Sequence, residues 1–273
     1  MVSGAGGFLG RRLTRRLKQL GVSVESLNAR RPAAPKRPAD YFFHLAGQAD
    51  ASKCEADPKA AHEANVALTG RMLDYCRRHR IGVFVLPSTA YVYGSVLKRP
   101  ARETDAARPQ SRYPKTKIVA EALLAKACAR GKLAGVSARL SNVYGPGMRA
   151  ATVAGTVIAQ LKKGREPKVR DLSPVRDFIF VDDAVEGMIR LASAARRGRF
   201  LAVNVSTGKG VSVARLAETA RRAAGRSPRA VAAANGPALI LDNRRLARLT
   251  GWRPKTSLRR GLAACLAKPY AKK

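Results

Sequence analysis

A doubly wound α/β fold built on a parallel sheet is the architecture this 273-residue sequence predicts. Three observations carry the prediction. Short apolar strands alternate with much longer helical stretches, the arrangement of successive βαβ units. A glycine turn, Gly4-Ala5-Gly6-Gly7-Phe8-Leu9-Gly10, stands directly ahead of the first helical pattern. Hydrophobic residues make up 46% of the chain, a globular share that excludes disordered, collagen-like and coiled-coil classes. The length suits one large domain or two modest ones with a sizeable core.

The elements follow in order. After the glycine turn, Leu13, Leu17 and Leu20 mark one face of a helix that stops at Gly21, and Val22–Leu27 alternates like a strand. Asp40–Ala46 is a short apolar strand, and Ala60–Arg80 a long helix with Val66, Leu73 and Cys76 on its apolar stripe. Val83–Leu86 is a strand running into Pro87-Ser88-Thr89, Tyr113–Arg130 a helix, and Gly135–Leu140 a strand. Beyond Gly145 come a helix over Ala151–Lys163, the run Arg176–Asp183, a strand at Val203–Val205 and a helix over Val213–Ala224. No internal repeat is visible, and the one Pro-rich stretch, Arg30–Pro38, is too short to separate domains. The later segment supplies a smaller lobe over the carboxyl edge of the sheet, where open α/β sheets bind ligands.

The charge is uneven: 53 Lys+Arg oppose 18 Asp+Glu, a net +35, and residues 187–273 hold 20 basic residues against Glu218 and Asp242. Such an excess attracts polyanions non-specifically. The cations are scattered in pairs such as Arg11-Arg12, Arg77-Arg78 and Arg221-Arg222, without the interleaved aromatics that stack on bases. They describe solubility and stickiness more than a dedicated nucleic-acid site. No apolar run reaches the ~18 residues of a membrane span. No basic segment followed by an apolar stretch opens the chain, so a secretory signal is not expected. Cys54, Cys76, Cys128 and Cys265 show no ligand-like pairing with His44, His62 or His79. They read as reduced thiols of a cytosolic protein without a structural metal.

Three motifs carry chemistry. The spacing of Gly4, Gly7 and Gly10 lets backbone approach a pyrophosphate at a helix N-terminus. Only Met1, Val2 and Ser3 precede it, so the strand that carries it is a stub. Either the coding start lies upstream, the gene is decayed, or the fold tolerates the loss. Tyr113 and Lys117, four residues apart, share one helix face. An ammonium beside the phenol, helped by an oxidised nicotinamide, favours the phenolate and brings a poor base into working range. Pro114 fits the first helical turn. Ser88-Thr89 ends an apolar strand, Thr89 standing 24 residues before Tyr113. A hydroxyl there can orient a sugar hydroxyl or carbonyl.

With these blocks in order, the chain resembles the extended short-chain dehydrogenase/reductase family, the NAD-dependent epimerase/dehydratases acting on nucleotide sugars. The likeness also rests on His44-Leu45-Ala46, Asn65, Ser88–Gly94, Arg139–Gly147, Arg176–Asp183, Leu241-Asp242 and Gly251-Trp252-Arg253-Pro254. It implies a Rossmann-type dinucleotide-binding domain over residues 1–145 and a smaller substrate-binding lobe over 146–273, with about 175–205 returning to the first domain. Tyr113 is then the acid/base, Lys117 its partner and holder of the nicotinamide ribose, and Thr89 the orienting hydroxyl. Gly4, Gly7, Phe8, Leu9, Gly10, Asn28, Arg30, Leu45, Ala46 and Asn65 line the cofactor. Ser88, Asn142 and Arg176 face the substrate, the guanidinium suiting a diphosphate. The implied activity is a 4-epimerase or 4-ketoreductase. A homodimer through the helices near 60–80 and 113–130 is expected, though Arg77, Arg78 and Arg80 oppose it.

Several departures matter. At the end of the second strand, Asn28 stands where an acid usually binds the adenosine ribose, with Arg30 and Arg31 following. Either NADP is accommodated by the guanidiniums, or Asn28 still bonds the ribose of NAD and the arginines are solvated. Only Ala29–Phe43 separates this site from His44, so a strand and helix are missing and the adenine pocket is reshaped. Ala90-Tyr91 replaces the Asp-Glu of 4,6-dehydratases, which disfavours dehydration. Ala230–Pro237 replaces a stretch that often carries an arginine for the phosphates. A second reading, a catalytically degenerate family member binding polyanions, accounts for the stub, the deletion and the charge together.

Overall fold

A computed structural model describes residues 1–94, 99–231 and 236–267. Its larger sheet has six strands: β1 (Val2–Ser3), β2 (Ser26–Leu27), β3 (Tyr41–His44), β4 (Val83–Thr89), β5 (Ala134–Leu140) and β8 (Phe200–Val205). They lie in the order β2-β1-β3-β4-β5-β8, every pairing parallel. Parallel strands need helical crossovers on both faces, so their sequences read as continuous apolar runs. β4 and β5 fit that rule, pairing from Val83↔Ala134 to Thr89↔Leu140 with almost every residue buried. One face carries α1 (Phe8–Gln19) and α7 (Val181–Ala194), whose Leu13, Leu17, Met188 and Leu191 pack on Val85 and Val136. The other carries α4 (Leu68–Arg78) and α5 (Arg112–Ala129) through Met72, Leu73, Ala120 and Leu124.

The stub strand forms. Val2 and Ser3 are fully buried and pair with Ser26-Leu27 on one side and Phe43-His44 on the other. The Met1 ammonium donates to the Tyr41 carbonyl at 2.6 Å, and burial pushes its pKa down. The strand expected over Val22–Leu27 shrinks to two residues because β2 is the sheet edge, with no outer strand to extend its ladder. Residues 28–40, where a strand and helix were expected to be missing, form only turns.

The long helix begins earlier than its periodicity predicts. Asp50 caps a short α2 (Ala51–Ala56), and Asp57 caps α3 (Pro58–His62), with Pro58 in its first turn. A π-helical turn over Glu63–Ala67 joins α3 to α4 and carries Asn65.

A smaller sheet is built from β6 (Asn142–Tyr144), β7 (Val175–Phe180) and β10 (Ala238–Leu239), with β9 (Gly210–Ser212) antiparallel to β7. Against it, α6 (Val153–Lys162), α8 (Val213–Ala223) and α10 (Leu258–Leu266) enclose Tyr144, Val157, Phe178, Leu216 and Leu262. α9 (Arg244–Thr250) and Trp252 close onto the larger core. The Arg176–Asp183 run ties these parts together. Asp177 is 1% exposed and accepts from Thr207 and Gly208, while Asp183 accepts from the Thr256 N–H at 2.8 Å. Residues 232–235, inside the Ala230–Pro237 replacement, lie outside the described residues. All four cysteines are free and buried. Among the described residues no helix is long and apolar enough to cross a membrane, and no cluster suits a metal ion.

Candidate functional site

Thr89 is the last residue of β4, and Tyr113 lies in the first turn of α5. The fold brings them together: the Thr89 side chain is a hydrogen-bonding partner of the Tyr113 phenol. The same Thr89 hydroxyl accepts the Tyr91 N–H at 3.3 Å, capping the 3₁₀ turn Ala90–Tyr93. Lys117, one turn along α5, is buried with Nζ 5.9 Å from the centre of the Tyr113 ring. The three predicted catalytic side chains therefore meet at one point.

The expectation that the phenolate is favoured joins the ammonium to an oxidised nicotinamide. Among the protein's own groups burial dominates and pushes the Tyr113 phenol up, opposed by the Thr89 hydrogen bond. Burial likewise brings Lys117 down to about 8, with Cys54 and Glu121 pulling the other way. Desolvation disfavours whichever form is charged, so both groups shift toward neutrality.

Behind Lys117 stands a buried polar network. Glu121, the next turn of α5, accepts from Arg139 Nη2 at 2.7 Å and from the Ser137 hydroxyl at 2.8 Å. Arg139 also donates to the Tyr93 hydroxyl at 3.0 Å, which donates to Asn204 at 2.7 Å. This network fixes the face of α5 that carries Tyr113 against β5 and β8. Reading single motifs missed it, although Glu121 continues the i, i+4 series from Tyr113 and Lys117.

The cofactor side is assembled from β1, α1 and the ends of β2 and β3. Gly4 has φ +70°, and a Cβ there would stand 2.6 Å from the Ala46 nitrogen. A Cβ on Gly10 would meet the Gly4 and Ala5 backbone. Both glycines are sterically required. Gly7 N-caps α1 without any side-chain cap, and the first turn holds no acid, so the helix N-terminus is open to an anion. Phe8 and Leu9 turn inward against the smaller lobe's core. Leu45 and Ala46 are held by Ser3, through its carbonyl at 3.1 Å and its hydroxyl at 3.4 Å. A cleft of about 900 Å³ runs from Gly4 and Ala46 to Asn28, Arg30 and Arg71. The donor set and the glycine cradle fit a dinucleotide.

Other predicted residues have partners that define their roles. Asn28 accepts the Arg30 N–H at 3.1 Å, so its carboxamide oxygen closes a turn and leaves its NH₂ outward, with Arg30 exposed. Asn65 is buried: its oxygen accepts from Gln48 N at 2.8 Å, and its NH₂ donates to Gln48 O and Thr116 Oγ1. It clamps the loop after β3 to α5. Ser88 is buried, and its hydroxyl has no hydrogen-bond partner among the described residues; the same holds for His44 Nε2, whose ring is held neutral by burial with a pKa of about 3. Asn142 sits on β6 and donates to the Tyr91 hydroxyl at 3.4 Å. Arg176 lies on β7 and donates to the Val175 and Pro237 carbonyls. Arg11, which motif reading passed over, lies above the glycine turn and donates to Gly6 O.

The geometry agrees with comparisons to known proteins. Residues 1–206 match the model of the "NAD dependent epimerase/dehydratase family". The chain belongs to that family. It is 31% identical to the dTDP-glucose 4,6-dehydratase of Streptomyces griseus over 235 residues, covering 84% of this chain and 71% of that one. It is 28% identical to dTDP-6-deoxy-L-talose 4-dehydrogenase (NAD(P)(+)) of Kitasatospora kifunensis over 249 residues, covering 80% and 76%. The solved structure of MoeE5 in complex with UDP-glucuronic acid and NAD superposes with a TM-score of 0.84 at 26% identity, covering 96% of both chains. This epimerase/dehydratase family member has the six-stranded Rossmann-type sheet, with an edge strand reduced to two residues.

Proposed function

We propose that the protein is an NAD(P)-dependent enzyme acting on a nucleotide sugar, a 4-epimerase or 4-ketoreductase. The observation that carries this reading is the convergence of Thr89, Tyr113 and Lys117 at the carboxyl end of β4. The matched relatives act on, or are bound to, sugar nucleotides. The α1 N-terminus with Gly4 and Gly10 would hold the pyrophosphate of the dinucleotide, and Asn28 and Arg30 its adenosine ribose. When bound, its nicotinamide supplies hydride exchange and, oxidised, a positive charge near the phenol.

The chain's own residues move the proton. Tyr113 takes it from the sugar hydroxyl as the carbon is oxidised and returns it on reduction, while Thr89 orders the oxygen. Lys117 holds a positive charge below pH about 8 and binds the ribose. The helix dipole and Arg11 neutralise phosphate. Asn142 and Arg176 stand at the substrate side. Ala90-Tyr91 offers no carboxylate pair for expelling water, which favours epimerisation or ketone reduction over dehydration.

The test is a spectroscopic assay of nicotinamide oxidation or reduction with UDP-, dTDP- and GDP-sugars and both cofactors. Turnover with at least one sugar nucleotide is expected. Failure of every combination, with no cofactor binding by titration, points instead to a degenerate binder.

A further inference from the structure

Tyr91 is a second phenol beside Thr89 and Tyr113 that none of the expected roles uses. It is 38% exposed, unusual for a tyrosine next to a strand end buried throughout. Its position is built rather than loose. The backbone N–H is held by Thr89 Oγ1, the 3₁₀ turn fixes the ring, and Asn142 Nδ2 reaches its hydroxyl from β6. Tyr91 also stands close enough to Tyr113 to affect its ionisation. Four polar groups from four separate elements therefore lie near one another: Thr89 of β4, Tyr91 of the 3₁₀ turn, Tyr113 of α5 and Asn142 of β6.

The hydrogen-bond polarity decides what Tyr91 can do there. A phenol offers one O–H donor and acceptor lone pairs. Asn142 donates to the oxygen, so an acceptor site is filled and the phenol keeps its own O–H to donate. Its ring supplies a flat apolar face beside that donor.

We infer that Tyr91 is a sugar-positioning residue, donating its O–H to a hexose hydroxyl beside the carbon at which Tyr113 moves the proton. The inference rests on the nucleotide-sugar reading and deepens it. Asn142 acts through Tyr91 as a positioning residue, fixing the direction of that donor. A carboxylate at position 91 would accept from the sugar and serve as a base, whereas the phenol only donates and orients.

The experiment is equilibrium titration of NAD-loaded and NADP-loaded protein with three pairs of probes: UDP and UDP-glucose, dTDP and dTDP-glucose, GDP and GDP-mannose. In Tyr91→Phe the ring remains and only the donor is lost. Loss of one neutral hydrogen bond weakens the bound sugar nucleotide about five- to tenfold, while its parent nucleoside diphosphate binds within about twofold of wild type. Asn142→Ala weakens the sugar nucleotide in the same sense, and adding it to Tyr91→Phe brings less than the sum of the two effects. A melting temperature shared by wild type and Tyr91→Phe shows that the fold is unaffected. Equal affinities for the sugar nucleotide in wild type and Tyr91→Phe overturn the positioning role and leave the nucleotide-sugar reading standing. Equal weakening of sugar nucleotide and parent nucleotide also overturns it. A wild-type protein that binds none of the three sugar nucleotides overturns both.

Discussion

At the Tyr113 end of the larger sheet's carboxyl edge, β4 and β5 run seven residues each in register, and α5 is fastened to β5 by Glu121, Arg139 and Ser137. At the Asn28 end, β1 and β2 contribute two residues each, β2 has a single neighbour, and one Asn28–Arg30 turn sets the rim. The first region holds its functional groups by burial and by reciprocal hydrogen bonds, so their positions are over-determined. The second holds them by a turn at a solvent-exposed edge, with exposed guanidinium nearby. On the proposed reading, chemistry depends on the packed half, and the choice between cofactors falls to a few surface residues that substitution can retune without disturbing the core.

The largest effect that tests this contrast is at Tyr113. Tyr113→Phe is expected to lower turnover by about 10²–10⁴-fold, the usual worth of a positioned acid/base, with NAD(P)H binding by fluorescence titration unchanged. A residual rate near wild type would remove the acid/base from the packed half. Next is the network beneath it. Glu121→Ala leaves Arg139 charged and buried without its partner and is expected to cost about 3–5 kcal/mol of unfolding free energy in denaturant titration. A loss below 1 kcal/mol would show that the ion pair is a solvated ornament on α5.

The third effect is on pH dependence. Lys117 is held down to about 8 by burial, against the ordinary lysine value of 10.5. The unfolded chain thus carries more protons than the folded one between these values, and the stability penalty of burying Lys117 is relieved as pH rises through that window. Turnover moves the opposite way. Sugar oxidation is expected to fall as Lys117 loses its charge above pH about 8. Lys117→Arg, which stays protonated, is expected to abolish the basic fall in kcat. A fall that persists unchanged assigns it to another group.

The smallest effect belongs to the exposed half. Arg30→Ser is expected to weaken NADPH by about tenfold relative to NADH if a 2′-phosphate is bound there, as for one lost charge-assisted hydrogen bond. Melting temperature is expected to stay within about 2 °C, since exposed substitutions are worth only tenths of a kcal/mol. Equal weakening of both cofactors would place Arg30 on the adenine or pyrophosphate.

Local pattern determined a large part of this protein. The i, i+4 spacing of Tyr113 and Lys117 places them on one face of any α-helix, and the apolar run Val83–Leu86 makes a buried strand that ends in hydroxyls. The glycines at 4 and 10 announce a close backbone approach, while the missing strand and helix between Asn28 and His44 were legible only through the resemblance to the family. What pattern could not decide was distance across the chain and the dielectric around each group. Asn142 meets Tyr91 across 51 positions, Arg139 meets Glu121 across 18, and Asn65 meets Thr116 across 51. The phenol's shift upward, against the hydrogen bond with Thr89, comes chiefly from the burial around it. Desolvation is the sum of all surrounding atoms, and only the assembled tertiary structure determines where those atoms stand.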